Sequence, residues 1–203
     1  MRLALLFLAT GCTGNVEFPG TNMPEFFEFQ ENLGYQWQFA NEDVTLTYRM
    51  VSEIEDYTIV DGRTEYVMVY RKDCINPNDQ TCPDGEIIKS LTMTSDYAGV
   101  QIYGVDEQRF DPPVKLANQF MKVGESATTT TGGADYTSTM PEIGDCPVLL
   151  PNWTNCAQFD LVSSAGEDAI TGSYWAITSF NIVAVTWPGQ PGQWKLTNHV
   201  SLD

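Results

Sequence analysis

The chain has 203 residues, of which 27 are acidic and 10 are basic, and its net charge is -17 at pH 7. Hydrophobic residues make up 42% and aromatic residues 12% of the sequence, so disorder over most of the chain is excluded. An acidic field of this size repels phosphate backbones and excludes nucleic-acid binding. The acidity is explained most simply by solubility or by a salty habitat, and the length suits one sizeable domain.

The first eleven residues are typical of a secretory signal. Arg2 gives a positive start, residues 3–9 form an unbroken apolar run, and small residues precede Cys12. The run is about seven residues long, which is the lower limit for a signal peptide and far below the roughly 20 that span a bilayer as a helix. We therefore predict that residues 1–11 are a signal peptide and form no part of the fold.

Small residues before a cysteine resemble the lipobox of bacterial lipoproteins, in which the cysteine is acylated and becomes the first residue of the mature chain. The usual box has Leu three places before the cysteine; this chain has Ala9 there, and Leu8 one place further back. The resemblance implies lipid attachment at Cys12 and stable anchoring by several acyl chains. Thr13 stands where enterobacterial lipoproteins of the inner membrane have Asp, so we expect an outer-membrane lipoprotein, periplasmic or surface-facing. The alternative is an ordinary signal peptide with Cys12 near its end.

The residues after Cys12 have the composition of a tether. Residues 13–24, TGNVEFPGTNMP, contain two glycines and two prolines and show no periodic pattern. Fully extended, this stretch would reach roughly 40 Å from the lipid. We predict an acylated tether over residues 12–28 and an antiparallel β domain over residues 29–203, with MPEFFEFQENLG as the best candidate for a short helical turn.

From Tyr35 onward the sequence has a period of two, which is typical of half-buried antiparallel strands. The apolar residues that share a face are Val44, Leu46, Tyr48 and Met50; Tyr66, Met68 and Tyr70; Ile87, Leu91 and Met93 around Lys89; Val100 and Ile102; Phe159 and Leu161; and Trp194, Leu196, Asn198 and Val200. Asp-Gly, Gly-Gly and Pro-Gly pairs separate these segments at hairpin spacing. TGSYWAITSFNIVAVTW is either one bent strand or two strands broken at Ser179. We predict an all-β fold, a single strongly curved antiparallel sheet or an open β-barrel of about ten strands.

Four cysteines remain once Cys12 is assigned to the lipid, an even number that suits disulfides in an oxidising compartment. They lie as two close pairs, Cys74 with Cys82 and Cys146 with Cys156. Local pairing is therefore the simplest of the three connectivities. Neither pair has CxxC spacing and the chain has one histidine, which argues against a zinc site.

Residues 73–86, DCINPNDQTCPDGE, are a minor candidate for a calcium loop. Their hard oxygen donors, which calcium prefers, belong to Asp73, Asn76, Asn78, Asp79, Asp84 and Glu86. The D-x-D-x-D-G spacing is absent, and a disulfide-tied turn rich in Asn and Asp is expected without a metal. We predict no resident metal and no cofactor, with calcium at 73–86 as an alternative.

Three patches of the sequence resemble one family. They are NLGYQWQFA (32–40), YAGVQIYGVDEQRFDPPVKLANQFMKVGES (97–126) and FNIVAVTWPGQPGQWKLTNHV (180–200). They are similar to the opening G-x-x-W-x-Y, the central G-V-x-L-Y-G strand with its Pro-Pro pair, and the closing strands of the TapB-like bacterial lipoproteins of unknown function. The resemblance covers roughly residues 30–200 and implies a curved sheet similar to that of the LolA and LolB lipoprotein carriers. The chain departs from the pattern at Ser126 and Ala127, where relatives commonly keep Trp, and in its two cysteine loops.

No pattern in the sequence indicates catalysis. His199 is the only histidine, and strand parity places it beside Lys195 and Thr197, opposite Trp194 and Leu196. We interpret it as an exposed or groove-edge residue rather than as part of a Ser-His-Asp triad. Nucleophile-elbow, zinc-protease, dinucleotide and P-loop motifs do not occur, and nothing singles out a glycosidase pair among the acids. We predict a protein without enzymatic activity.

Two hypotheses remain for the function. In the first, the concave face of the sheet binds an apolar ligand or an envelope protein and is lined by Tyr48, Met50, Tyr66, Met68 and Trp194, since Met and aromatic side chains suit adaptable apolar contacts. In the second, the interior is packed and the protein is a structural component of the envelope or surface. An open cavity of several hundred Å³ would favour the first hypothesis, and a filled interior the second.

Trp153 is the one residue singled out as a partner anchor. It lies in the loop closed by Cys146 and Cys156, and exposed aromatic residues at loop tips often anchor a partner. The alternative is a Trp153 side chain folded back over the sheet.

Overall fold

The structure, a computed structural model, describes residues 20–43, 45–79, 81–149 and 153–202. Strands dominate these residues, and their only helical elements are two short 3-10 turns. The predicted all-β fold is confirmed. The predicted signal peptide and Cys12 lie outside the described residues. Within the described ranges, no helix has both the length and the apolar character needed to cross a membrane.

Fifteen strands and two 3-10 turns make up the described body. The strands are β1 (Thr21–Asn22), β2 (Tyr35–Asn41), β3 (Tyr48–Val60), β4 (Arg63–Cys74), β5 (Ile87–Asp96), β6 (Gly99–Val105), β7 (Gln108–Ala117), β8 (Phe120–Met121), β9 (Ser126–Thr131), β10 (Ala134–Thr139), β11 (Ile143–Asp145), β12 (Thr154–Ser163), β13 (Gly172–Ile177), β14 (Asn181–Thr186) and β15 (Trp194–Ser201). The 3-10 turns span Met23–Phe26 and Gln30–Asn32. Both lie in the stretch predicted to hold a short helical turn.

The sheet curls into a nearly closed barrel. Its strand order is β7-β6-β5-β4-β3-β2-β15-β14-β13-β12-β10-β9, and β11 pairs with β12 outside this path. The two edge strands meet where the backbone amide of Lys115 in β7 donates to Oγ1 of Thr129 in β9, at 3.1 Å. Pro112 and Pro113 in β7 have no amide hydrogen, which suits an edge strand. The curved sheet is therefore confirmed, with more strands than predicted.

The predicted alternation places most of the named residues in the core. The fully or almost fully buried members are Met50, Met68, Tyr70, Leu91, Met93, Val100, Ile102, Phe159, Leu161, Trp194 and Leu196. The segment from Thr171 to Trp187 forms two strands, β13 and β14, which are separated by a turn at residues 178–180. Ser179 has a positive φ of 68° in this turn. Of the two alternatives for this segment, the break at Ser179 is correct.

Two details of the predicted strands are wrong. β3 begins at Tyr48 rather than at residue 44; Leu46 lies in the preceding loop, and Val44 lies outside the described residues. In β15 the register shifts between Leu196 and Asn198. A bulge of this kind inserts one residue and reverses the alternation beyond it. Asn198 is therefore exposed and does not continue the buried face.

The N-terminal segment corrects the predicted domain boundary. Residues 20–28 belong to the folded body instead of a tether, because Met23, Phe26 and Phe27 are buried in the core. β1 pairs with β8, and the amide of Met23 donates to the carbonyl of Gln119 at 2.8 Å. Burying one large apolar side chain contributes roughly 1.5 to 3 kcal/mol, which offsets the cost of fixing a residue in place. The segment covers one end of the barrel, and we call residues 21–29 the N-terminal plug.

Residues 164–171 cover the opposite end of the barrel. The hydroxyl of Tyr136 donates to Oδ2 of Asp168 at 2.5 Å, and the hydroxyl of Tyr174 donates to the carbonyl of Ile170 at 2.5 Å. The ammonium of Lys89 donates to the carbonyl of Ala169. Both ends of the interior are therefore covered by the chain itself.

Candidate functional site

The interior is filled at the positions predicted to line a ligand face. Met50, Met68 and Trp194 are buried within the core, and Tyr66 is also buried, with 8% of its surface exposed. Tyr48 is half-buried, and its ring lies 5.5 Å from the ring of Trp194. The predicted open face is thus corrected: these side chains pack against the rest of the core. Two of the five also reach the outside. Tyr48 lines a shallow depression next to Leu46 and Ile75, and Tyr66 lines a separate depression at the other end of the β3–β4 hairpin.

That depression is a groove beside the N-terminal plug. It has a volume of about 590 Å³ and is lined by Pro24, Phe27, Glu28, Phe29, Gln30, Glu31, Tyr66, Ser95 and Ser179. The ring of Phe29 stacks on Tyr66 with centroids 5.3 Å apart, and Phe27 lies 5.8 Å from Phe159. The aromatic floor of the groove is therefore continuous with the core of the barrel.

The plug and the 3-10 turn that follows it hold the groove in shape through hydrogen bonds to two parts of the sheet. The hydroxyl of Ser95 in β5 donates to the carbonyl of Pro24 at 3.2 Å. The amide of Ser179, between β13 and β14, donates to the carbonyl of Glu25 at 3.0 Å. The side chain of Asn32 donates to the carbonyl of Ser179 at 3.1 Å. Distant strands thus meet at this end of the barrel.

A second depression of about 320 Å³ continues the first around the end of the barrel. It is lined by Gln30, Asp61, Gly62, Arg63, Thr64, Tyr66, Ser95, Asp96 and Tyr97. Gln30, Tyr66 and Ser95 line both depressions, so we treat them together as the end groove.

Three large apolar side chains are exposed in or next to the end groove, and one of them, Tyr97, belongs to its lining. Tyr57 is 54% exposed, Ile59 is 69% exposed and Tyr97 is 82% exposed. Tyr57 pairs across the β3–β4 hairpin with Tyr66, and their rings lie 6.3 Å apart. Tyr57 and Ile59 are two residues apart in one strand, so both side chains leave the hairpin on the same side as Tyr66.

The lining of the end groove is acidic. Its carboxylates belong to Glu28, Glu31, Asp61 and Asp96, and its single basic residue is Arg63. The guanidinium of Arg63 lies 4.7 Å from the centre of the Tyr103 ring, and one base does not balance four carboxylates. The groove therefore presents net negative charge to an incoming group.

His199 lies at the edge of the same end of the barrel among aromatic rings. Its ring stacks on Tyr35 with centroids 4.7 Å apart, and Trp37 and Phe180 each lie 5.3 Å away. Burial lowers the pKa of His199 from its ordinary value. The predicted neighbours are wrong, since the bulge at Leu196 changes the parity of β15. The surroundings are those of a packing residue, and among the residues that the structure describes Nε2 of its ring has no serine or carboxylate as a hydrogen-bond partner.

Trp153 folds back onto the body instead of standing out from its loop. It is half-buried, and its ring lies 4.7 Å from that of Phe180. The prediction of an exposed anchor is therefore corrected in favour of its alternative.

Both predicted disulfides are present. Cys74 bonds to Cys82 with Cα atoms 6.1 Å apart, and Cys146 bonds to Cys156 with Cα atoms 5.0 Å apart. Disulfides of this kind persist in oxidising compartments. They weakly indicate an extracytoplasmic location.

Several oxygen atoms of the predicted calcium loop are bound by neighbouring groups of the chain. The carboxylate of Asp79 accepts from the amide and the hydroxyl of Thr81, at 2.9 and 2.6 Å, and the pKa of Asp79 is lowered as a result. The carboxylate of Asp84 accepts from the amide of Cys74, and Glu86 pairs with Lys72 at 2.6 Å. In the part of the chain that the structure describes, no three metal-binding side chains form a group.

Comparison of this chain with family models, with curated proteins and with solved structures finds no match. The resemblance to the TapB-like lipoproteins therefore stays a prediction.

Sequence reasoning missed the end groove. Its floor comes from Phe27 and Phe29, which were assigned to the tether or to its border. Its rim comes from Tyr57 and Ile59, whose alternation in EDYTIVDG was the available signal for a strand with one apolar face. Nothing local shows that this face extends past the end of the barrel.

Proposed function

We propose that the chain is an exported, lipid-anchored, non-enzymatic protein of the cell envelope that acts through contacts made by its exterior. The observation that carries this proposal is the filled interior. Met50, Met68 and Trp194 occupy the space that a carrier would keep for its ligand, and the chain covers both ends of the barrel. Of the two hypotheses for the function, this supports the structural component over the carrier of an apolar ligand.

The compartment rests on the cysteines. The two disulfides favour a location outside the cytoplasm. The finer assignment to an outer-membrane lipoprotein depends on the lipobox resemblance at Cys12. An anchor at Cys12 would hold the barrel close to the bilayer, because the chain from Cys12 to Gly20 reaches roughly 28 Å when fully extended. The N-terminal plug and the end groove would then lie on the part of the body nearest the anchor.

The absence of enzymatic activity is supported by the surroundings of the candidate groups. His199 is packed among aromatic rings. The ammonium of Lys89 donates to the carbonyl of Ala169 and lies 4.7 Å from the centre of the Trp187 ring. Hydrolytic chemistry needs a nucleophile and a base within hydrogen-bond reach of each other. Neither group is placed in that way.

The proposal is tested by purifying the full chain from a bacterial membrane fraction in mild detergent. Intact-mass analysis is expected to show loss of residues 1–11, a multiply acylated Cys12 and no free thiols among the other four cysteines. A Cys12→Ser variant is expected in the soluble exported fraction. An uncleaved leader with five free thiols would refute the export, the anchor and the compartment together.

Native mass spectrometry of the same sample tests the packed interior. We expect the mass of the protein without a bound lipid or other small apolar molecule. A stoichiometric apolar ligand that survives purification would instead support the carrier hypothesis and contradict ours.

A further inference from the structure

We infer that the end groove is a docking site for an extended, basic segment of a partner protein that carries apolar side chains. The inference rests on the proposed function, which assigns the activity of the protein to its exterior, and it names the surface and the chemistry of the partner. It combines three features of the groove: its aromatic floor, its exposed apolar rim and its charge.

The rim of the groove supplies anchoring contacts. Tyr57, Ile59 and Tyr97 are each more than half exposed, although a soluble protein gains by burying such side chains. Tyrosine is enriched where partner proteins bind, because its ring is apolar and its hydroxyl remains hydrogen-bonded. Tyr97 lines the groove, and Tyr57 and Ile59 pair across the hairpin with residues that line it. A partner's side chains would therefore enter between this rim and the floor of Phe29 and Tyr66.

Charge complementarity selects a basic partner. Glu28, Glu31, Asp61 and Asp96 line the groove, and the whole chain adds to their field with a net charge of -17. Arg63, the single base in the lining, is stacked on Tyr103. Lysine or arginine side chains are the groups that such a field attracts and orients.

A second copy of the chain fits the groove poorly. Four basic residues of the described body, Arg71, Lys72, Arg109 and Lys195, already form ion pairs with its own glutamates. A like copy would therefore bring excess negative charge to a negative groove. A lipid surface is disfavoured as well, because Asp61 lies at the tip of the hairpin that would have to enter it.

The test measures binding of three labelled twelve-residue peptides to the detergent-solubilised full chain by fluorescence anisotropy. The peptides alternate Lys with Leu, Lys with Ser, and Glu with Leu. We expect the Lys-Leu peptide to bind, and the other two to bind at least about tenfold more weakly, since each lacks one of the two kinds of contact. Equal binding of the Lys-Ser peptide would show that only non-specific charge attraction drives binding, and it would overturn the inference. So would an absence of binding by the Lys-Leu peptide.

Paired variants locate the binding. Tyr57→Ser with Ile59→Ser, and separately Glu31→Gln with Asp61→Asn, should each weaken Lys-Leu binding by about tenfold. The matched controls lie at the opposite end of the body: Ile75→Ser with Val162→Ser, and Glu107→Gln with Glu167→Gln. Controls that weaken binding as much as the groove variants do would contradict the inference.

Two further measurements separate folding, lipid binding and anchoring from docking. Near-ultraviolet circular dichroism confirms that each variant keeps its core. In the lipid test, phosphatidylcholine vesicles compete with the Lys-Leu peptide for the groove. Competition that is lost in the variant with Tyr57→Ser and Ile59→Ser would show that the groove binds a lipid surface and would overturn the inference of a protein partner. The peptide result does not depend on acylation, so a protein without the lipid would refute the proposed anchor and leave docking standing.

Discussion

His199 illustrates how a single titratable residue is changed by its neighbours. Its half-buried imidazole lies among the rings of Tyr35, Trp37 and Phe180. Nε2 of His199 is buried and has no hydrogen-bond partner among the described residues. Removing water from this ring disfavours the charged imidazolium, so the pKa falls.

This lowered pKa makes the folded protein sensitive to acid. The unfolded chain binds a proton at His199 near pH 6.5 and the folded protein binds it only at lower pH. The stability contributed by the neutral ring is thus complete above about pH 6.5 and is lost as the pH falls through the folded pKa. We expect the melting temperature of the native protein to fall more between pH 7.5 and 5 than that of His199→Gln.

The comparison with His199→Gln removes effects common to both proteins. Glu53, whose pKa is raised by burial and by Glu55, acts in the opposite sense, but it does so equally in both proteins. Parallel melting curves over this pH range would show that the aromatic surroundings do not affect the histidine.

Lys89 is a second residue whose charge is set by packing. Burial lowers its pKa to about 8, against the opposing charges of Asp106 and Asp168. Its ammonium binds the carbonyl of Ala169 in the segment that covers one end of the barrel. Replacing a buried, paired charge with an apolar side chain of similar size changes global stability little, because the cost of desolvation disappears with the bond.

For Lys89→Met we therefore expect a global stability within about 1.5 kcal/mol of the native protein and faster amide hydrogen exchange at residues 166–171. Lys115→Met on β7 serves as the control and should leave exchange at 166–171 unchanged. Unchanged exchange in Lys89→Met would show that the lysine does not hold the segment closed.

Among the structural elements, the N-terminal plug differs most from what its sequence indicates. Phe27 is 1% exposed and packs on Phe29 and Phe159, whereas Phe120 of β8, at the same end of the barrel, is 38% exposed. Truncating a buried phenylalanine costs the transfer of its ring and leaves a cavity. Truncating the side chain of a solvated tether residue would leave the free energy of unfolding unchanged.

We expect Phe27→Ala to lower the free energy of unfolding by about 3 to 5 kcal/mol, measured by urea denaturation. Phe120→Ala is the matched control, and we expect it to cost less than half as much. Equal and small effects of the two substitutions would mean that the plug is not part of the cooperative core.

The contrast between strands and plug shows which information is local. The placement of Tyr66, Met68 and Tyr70 is correct because the alternation of side chains along a strand depends only on residues that are adjacent in sequence. The disulfides were placed correctly because each pair is close in sequence. The plug was not, because its partners are the distant Ser95 and Ser179.

The same limit explains the errors at β15 and at the candidate site. The register shift after Leu196 is fixed by pairing with β2. The sequence of β15 alone does not indicate this shift. Met50, Met68 and Trp194 were correctly placed on the inward face, yet alternation alone does not tell a packed interior from an open one. The end groove depends on which hairpins extend past the barrel, and that length is a property of the whole sheet.

At the scale of the whole molecule, the net negative charge of the chain opposes the closure of the barrel. The net charge of -17 makes a compact body repel itself. The barrel stays closed because its core is predominantly apolar. The join between β7 and β9 lacks a continuous ladder and includes the bond from Lys115 to Thr129.

We therefore expect salt to stabilise the protein. Raising sodium chloride from 0.01 to 0.15 M shortens the Debye length from about 30 to about 8 Å, and the melting temperature should rise with most of the gain in this interval. Choline chloride should act equally, because the effect is screening rather than cation binding. A melting temperature that falls with salt would show that the ion pairs outweigh the general repulsion.

The position of the N-terminal plug has a consequence for the order in which the protein is completed. Residues 21–29 are synthesised early, yet they rest on Gln119, Phe159 and Ser179, which follow some 90 to 160 places later along the chain. The surface that these residues contact does not exist until nearly every strand has been synthesised and paired into the barrel. We therefore expect the plug, although it is the first part of the body to be synthesised, to be among the last to fold, and its docking to require a correctly formed barrel.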